Sequence, residues 1–463
     1  MKVLVYFFSL TYIVGLVYGI HSIHADEVVG VDLAKKYYID LFSDFQIHLS
    51  GMTDLASSIH YYILMPFVQI FGDSIISLRA FACFFAFLNL TLIYNILLTF
   101  FDQRKSQLLV LSIMSFPPLI IFSQYSLDIN STGFTFFLVG CLLISRYKNV
   151  LIGSFFFGLS ISSHPIFFAP FLIVLYFYFH KTSFEKSIKL AFFPIVISLV
   201  RIIQVLFFTS NIRMGQQYLT MNKLLNIPYL LFEIIFGNKF YLKYLGDSFL
   251  PYLSLLLIII IFFQKFDKTL LYYSLVTIFS GVILGFITPD LSFKYFFYLS
   301  LSLYVYFLLN LRKTKFSNTL FIMIIGLNLL NFSLNYFYVK HLNKGGIGRF
   351  YTHELLDSGI KDRNPYHSYY YASYDKPLEN IFLKYQGIIY VDDGMLFSTL
   401  KYYFRNNHNI TIRLINSHES ILKDSLFITY GYRNIPSRIL IAEVKLEKKY
   451  SNISELLVYQ TIQ

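Results

Sequence analysis

The residues best suited to chemistry stand at the edges of apolar runs. Two adjacent carboxylates, Asp26 and Glu27, follow His24 and Ala25 just after an apolar run over residues 2–20. A carboxylate there can take a proton from an attacking hydroxyl or amine. A pair of them can also hold a divalent cation against a phosphate, or simply mark the point where the chain leaves hydrocarbon for water. A further acid, Asp128, lies in Gln124-Tyr125-Ser126-Leu127-Asp128-Ile129-Asn130, where one apolar run ends and the next begins. Capping of the following helix accounts for it as readily as catalysis does. His164-Pro165 interrupts the long apolar run 150–179. A histidine at such a break can contact a phosphate oxygen, or be a polar kink satisfied by neighbouring helices. Arg79 opens another run and can reach a lipid phosphate or pair with a carboxylate. Asp54, His60, Tyr61 and Tyr62 precede it. The Tyr rings offer flat faces to a sugar, or anchor the chain at a membrane interface.

The elements that must position these residues follow from composition. The 463-residue chain is 56% hydrophobic and only 14% charged. Soluble globular chains carry roughly a quarter charged residues, so a large soluble enzyme is excluded, and so is disorder. The remaining class is an all-α polytopic membrane protein. Apolar runs occupy 2–20, 78–101, 107–123, 131–145, 150–179, 188–208, 249–263, 269–287, 294–310 and 318–339. The run 150–179 is too long for one crossing and breaks at Ser162-Ser163-His164-Pro165, where proline removes a donor. The count is about eleven transmembrane helices. The first run is expected to be a retained span rather than a cleaved signal peptide, because Ile23 and Ala25 make a poor cleavage site.

Orientation follows from Lys and Arg in the short loops. With residue 1 cytoplasmic, the inside loops 102–106, 145–149, 180–187, 264–268 and 311–317 carry Arg104, Lys105, Arg146, Lys148, Lys181, Lys186, Lys265, Lys268, Arg312, Lys313 and Lys315. The short outside loops 124–130, 162–165 and 288–293 carry none. The net charge of +12 is therefore mainly a topology signal facing an anionic inner leaflet, and no nucleic-acid partner is expected. Before residue 340 only Asp102, Glu185 and Asp267 among the acids fall inside. Chemistry is thus expected on the extracytoplasmic face.

Two long outside segments, 21–77 and 209–248, interrupt the spans of a membrane module over 1–339. Within the first, Ile59–Phe71 is apolar but short, so it is expected to lie in the interface plane. Residues 340–463 are richer in charge and are expected to form a small extracytoplasmic α/β domain. Its expected strands are Gly387–Val391, Thr411–Ile415 and Ser425–Tyr430, with a helix over Met395–Phe404. Cys83 and Cys141 lie inside apolar runs and imply no disulfide framework. The chain has no P-loop, no dinucleotide fingerprint after a strand, no HExxH and no CxxC pair.

The order of these features resembles the lipid-linked sugar transferases of the GT-C fold, in particular the protein O-mannosyltransferase and lipid A aminoarabinose transferase groups. Asp26-Glu27 is similar to the acidic pair that opens their first outside loop. Tyr61-Tyr62-Ile63-Leu64, then Ile70-Phe71-Gly72-Asp73-Ser74 and Leu78-Arg79, resemble their Tyr pair, Leu-Phe-Gly-x-Ser and Leu-Arg stretches. Tyr125 through Asp128 resembles the acidic opening of their fourth span. Gly153, Gly158 and Ser162–Pro165 resemble a glycine-rich helix ending near a basic residue, and Lys294-Tyr295 their entry to a late helix. The family's His-Pro-Pro before the Tyr pair is Ser57-Ser58-Ile59 here, and Asp54 is slightly displaced from a second loop acid used by some members.

The resemblance implies a monosaccharide donor on a polyprenyl phosphate, an extracytoplasmic acceptor (protein, lipid or glycan) and a site in a bacterial inner membrane. Asp26 becomes the base that deprotonates the acceptor, with inversion at the anomeric carbon. Glu27 and Asp128 become supporting acids, and His164 and Arg79 become contacts for the donor phosphate. Asp54, His60, Tyr61, Tyr62, Tyr125 and Lys294 would line the substrate pocket. A divalent cation on Asp26, Glu27 and Asp128 stays an open option; no nucleotide or redox cofactor is expected. A transporter or flippase for lipid-linked glycans, or a glycan polymerase or ligase, is the alternative.

Overall fold

The structure is a computed structural model. It describes residues 55–72, 75–116, 119, 129–208, 227–228, 231, 268–287, 293–311, 316–342, 382, 384–391, 397, 400, 404, 407–415, 424–430, 438–445 and 455–461. Ten α-helices fall among the described residues. They are α1 Leu55–Phe71, α2 Ile75–Leu98, α3 Gln103–Met114, α4 Phe134–Ser145, α5 Val150–Ser163, α6 Phe168–Lys181, α7 Phe184–Phe208, α8 Lys268–Ile287, α9 Phe293–Leu311 and α10 Ser317–Leu342. The expected spans 2–20 and 249–263 lie outside the described residues.

The bundle has aromatic rings inside and apolar side chains outside. Phe116 stacks on Tyr304 at 4.5 Å, and Tyr298 contacts Phe134 at 4.6 Å and Phe167 at 4.9 Å. The outer surface exposes Phe84 and Phe87 on α2, Leu151 and Phe155 on α5, Phe192, Ile195 and Leu199 on α7, and Leu275 and Phe279 on α8. Large contiguous apolar surface is costly against water; hydrocarbon is its natural solvent. Among the described residues one helix, over Ser77–Leu98, is both long and apolar enough to cross a membrane unaided by a neighbouring segment. Shorter apolar stretches include Ser131–Ser145, Val150–Ser163, Pro165–Lys181 and Phe296–Leu311.

The long run 150–179 divides where the sequence places its break. Helix α5 stops at Ser163, His164 is extended (φ −157°, ψ 132°), and a single 3₁₀ turn over Pro165–Phe167 leads into α6. The run 107–123 behaves differently from its expectation as one span. Regular helix ends at Met114, where the Ser115 N–H reaches back to Leu111 and the Phe116 N–H to Ile113. The cause is in the sequence: Pro117 and Pro118 lack the N–H groups a continuing helix needs. Helix α4 is preceded by a turn of π-helix over Ile129–Gly133.

The helix ends expected to face the cytoplasm carry ordinary terminal devices. Asp102 caps α3 by accepting the Lys105 N–H at 2.9 Å. That hydrogen bond, with the nearby Lys105 charge, holds its carboxyl below the usual range. Glu185 pairs with Lys189 one turn on at 2.6 Å, which lowers its carboxyl likewise. These two acids therefore have structural work.

Glycines set the closest helix approaches. A Cβ on Gly140 would meet the Phe157 ring at 3.0 Å, and one on Gly158 would meet Ile197 at 2.5 Å. Helix α5 thus seats between α4 and α7.

The C-terminal region is a five-stranded mixed sheet of β1 Gly387–Val391, β2 Ile410–Leu414, β3 Leu426–Tyr430, β4 Arg438–Lys445 and β5 Glu455–Thr461. The order is β2-β1-β3-β5-β4, with β1 parallel to both β2 and β3, and β5 antiparallel to β3 and β4. Ile389, Val391, Ile428 and Val458 form one buried face with Phe382 and Leu400. Within the expected helix 395–404, Phe397 and Leu400 are helical. Strands β4 and β5 were not expected from the sequence. The Tyr385 hydroxyl donates to the Ile388 and Asp424 carbonyls at 3.0 Å each, and burial pushes it up.

Candidate functional site

Helix α1 presents His60, Leu64 and Val68 on one face, four residues apart, and all three are buried. Leu64 and Val68 pack against Leu78, Phe81 and Phe85 of α2. The connection between the two helices is Gly72, Asp73 and Ser74; Gly72 takes φ +68°, which a side chain would resist. The hairpin holds the His60 ring edge-on to Phe81 and to Tyr61, with centroids at 5.2 Å in both cases.

His60 is 2% exposed, so its ring nitrogens need polar partners. Nδ1 faces two hydroxyls of the π-turn, Ser131 Oγ at 3.1 Å and Thr132 Oγ1 at 3.3 Å. Both hydroxyl residues are themselves buried. The turn is tied from its other side as well: Ser160 Oγ of α5 donates to the Gly133 carbonyl at 2.8 Å. One turn further into α4, Thr135 donates to Asn89 of α2 at 2.6 Å. Three stretches far apart in sequence meet here: the first-loop helix, the turn directly after Asp128, and the helix that ends at His164.

At that end His164 is partly buried. Its Nδ1 accepts the Ile166 N–H at 3.3 Å, capping the 3₁₀ turn. An accepting Nδ1 places the ring proton of the neutral imidazole on Nε2, where it can donate to an oxygen. Arg79 is 6% exposed near the start of α2. Tyr61 and Tyr62 are half-buried on α1. Lys294 is the second residue of α9.

Asp26, Glu27, Asp54, Tyr125 and Asp128 lie outside the described residues. The acids that would hold a divalent cation are among them. Among the described residues no three His, Cys, Asp or Glu side chains gather as a metal site. Sequence reasoning missed Ser131, Thr132 and Ser160. Their signal was faint: hydroxyls beside glycines in apolar runs, which also occur as ordinary helix-packing residues.

An apolar cavity of about 260 Å³ lies elsewhere in the bundle, lined by Ile93, Leu97, Phe137, Cys141, Tyr273 and Tyr306 among others. Ile93 and Leu97 are fourteen and eighteen residues beyond Arg79 on α2, roughly 21–27 Å along the axis. Its lining also includes Phe134, next to Gly133 of the π-turn, and Phe167 of the 3₁₀ turn that His164 caps.

No family model matches the sequence, and no curated protein matches it. Among solved structures, the chain is similar to ArnT from Cupriavidus metallidurans bound to undecaprenyl phosphate. The identity is 12%, the cover 99% of this chain and 97% of that one, and the TM-score 0.49. It is similar also to the apo state of the same protein, with 11% identity, the same cover and a TM-score of 0.46.

Proposed function

We propose that the chain is an integral-membrane glycosyltransferase that moves a monosaccharide from a polyprenyl-phosphate donor to an extracytoplasmic acceptor. The observation that carries this reading is the contact of His60 with Ser131 and Thr132. It brings the first-loop helix against the turn after Asp128, two of the stretches whose order resembles the transferases. The apolar exterior and the one-sided loop charge support a membrane setting with an outward-facing site.

In the proposed mechanism Asp26 takes the proton from the acceptor hydroxyl or amine as that group attacks the anomeric carbon. The C–O bond to the phosphate breaks on the opposite face, so the carbon inverts. The departing prenyl phosphate carries the electron pair and a growing negative charge. The imidazole of His164 and the guanidinium of Arg79 are the donor groups for that charge. Glu27 and Asp128 support the site, and with Asp26 they would hold a divalent cation; a cation there would stabilise the leaving phosphate.

The folded C-terminal sheet favours transfer over transport, whereas a broken apolar helix occurs in transporters as well. The test is transfer of radiolabelled sugar from a panel of prenyl-phosphate monosaccharides to membrane extract by purified protein. Asp26→Asn is expected to abolish transfer at unchanged expression. Wild-type turnover in that variant would remove the base.

A further inference from the structure

We infer that the apolar cavity between α2, α4, α8 and α9 takes one acyl chain of an anionic phospholipid, with the headgroup against Arg146. The inference goes beyond the transfer reaction and does not depend on it.

The cavity has the form of a slot. On α9 its wall runs from Tyr298 to Leu309, eleven residues apart or about 16 Å along the axis. Spread over that length, about 260 Å³ leaves a mean section of about 16 Å², close to that of a single extended hydrocarbon chain. Water has little to hold there. The Tyr273 hydroxyl donates to the Ser302 carbonyl at 2.9 Å, and the Ser302 hydroxyl to the Leu299 carbonyl at 2.7 Å. Apolar cavities of this kind stay dry and take up apolar guests. Ile96, Phe137, Cys141 and Tyr306 on the wall are only partly buried, so neighbouring side chains do not close it off.

One end of the slot selects the lipid. Leu97 is the last residue but one of α2, and Leu309 the last but two of α9. The slot therefore comes within about 3 Å of the helix ends that carry the basic loops. Arg146, exposed directly after α4, donates to Asn95 Oδ1 of α2 at 3.2 Å. Asn95 lies between Ile93 and Ile96, both on the slot wall. The guanidinium is thus held within one turn of α2 from the wall. Lys148 follows in the same loop, Lys181 ends α6 and Lys268 begins α8. A guanidinium fork matches phosphate oxygens, and a headgroup with net negative charge suits this cationic rim better than a zwitterionic one.

The test uses purified full-length protein in detergent. It is incubated with phosphatidylglycerol or phosphatidylcholine carrying the same diazirine acyl chain, irradiated, and mapped by peptide mass spectrometry. Crosslinks are expected within 137–141 and 305–309, and more of them from phosphatidylglycerol. Arg146→Gln is expected to lower that preference by about fivefold, the share of one basic residue near an anionic lipid. Cys141→Trp, which fills the slot, is expected to remove these crosslinks and keep those on outward residues such as Leu199. Because Arg146 is exposed, its exchange keeps the test decisive if the Trp variant does not fold. Equal labelling from the two lipids, a preference unchanged in Arg146→Gln, or crosslinks confined to the outer surface of α5 and α7 would overturn the inference. So would displacement of the slot crosslinks by an equal concentration of undecaprenyl phosphate, since a prenyl chain entering at Phe134 and Phe167 would then be the occupant. Sugar transfer is not part of the readout, so its presence or absence leaves the result standing.

Discussion

Adding one methyl group at Gly158 and the same methyl at Gly326 should move stability in opposite directions. Both glycines lie inside helices, α5 and α10, so each Gly→Ala exchange gains about 1 kcal/mol of helix propensity. Their surroundings differ. A Cβ on Gly326 meets nothing within 4 Å, so the gain stands alone. A Cβ on Gly158 would lie 2.5 Å from Ile197 Cδ1, 3.2 Å from Phe193 Cβ and 3.3 Å from the Phe193 carbonyl carbon. Carbon pairs prefer about 3.5–4.0 Å. The Ile197 methyl can swing aside; the Phe193 backbone can give only if α7 slides outward. Overpacking of this kind costs about 1–3 kcal/mol. The net effect of Gly158→Ala is therefore a loss of about 0–2 kcal/mol, against a gain of about 1 kcal/mol for Gly326→Ala.

The assay is thermal unfolding of detergent-solubilised protein, followed by loss of monodisperse material, with both variants beside the wild type. Because propensity is common to both, the spacing between the two variants reads the α5–α7 contact directly. Equal shifts in the two, or a Gly158→Ala protein that outlasts the wild type, would refute the packing of α5 on α7. On the proposed transferase reading, Gly158→Ala should also lower sugar transfer below its melting point, because α5 ends at Ser163, directly before His164.

Two further outcomes follow from the same structure. Asp102 has its folded pKa lowered, first by the Lys105 N–H it accepts. Its contribution is present above the unfolded value of 3.8 and is lost as pH falls through the lower folded value. The melting temperature of Asp102→Ala should therefore lie below wild type at neutral pH and converge on it in acid; a difference that persists at the lowest pH would exclude the cap as its source. For orientation, with the native cysteines replaced, Arg413→Cys on the exposed side of β2 should react with impermeant maleimide from outside, and Arg104→Cys only after the cytoplasmic face is opened. The reverse pattern would invert the topology.

Much of this fold is legible because hydrocarbon imposes a length and proline imposes a stop. The run 294–310 becomes α9 over Phe293–Leu311, and the break at His164-Pro165 appears where the ring forbids a helix. Gly387–Val391 is a strand as its β-branched run suggests. The shortfall of α3 is equally visible in Pro117-Pro118, once a pair of prolines is given more weight than an unbroken apolar count. Strands β4 and β5 are harder to see. Arg438–Lys445 and Glu455–Thr461 carry charges at their ends, and their place in the sheet is fixed by pairing with each other and with β3. The site is the least legible part. His60 and Ser131 are 71 residues apart, and a contact of that span leaves no mark in local periodicity.

The breaks also explain why so many polar residues populate this bundle. Inside hydrocarbon every backbone group freed by an irregular turn must find a partner in the protein. After Met114 the Ser112 carbonyl accepts from Ser115 at 3.0 Å and from Tyr304 at 3.1 Å, while Asn328 donates to both Ser115 and Tyr304. At the π-turn Ser160 serves Gly133, and at the third break the His164 ring serves Ile166. The first two networks bracket residues 117–128, the stretch that holds Tyr125 and Asp128. Each interhelical hydrogen bond of this kind contributes only about 1 kcal/mol. At these breaks the hydroxyls of Ser115 and Ser160 are engaged with the backbone carbonyls of Ser112 and Gly133.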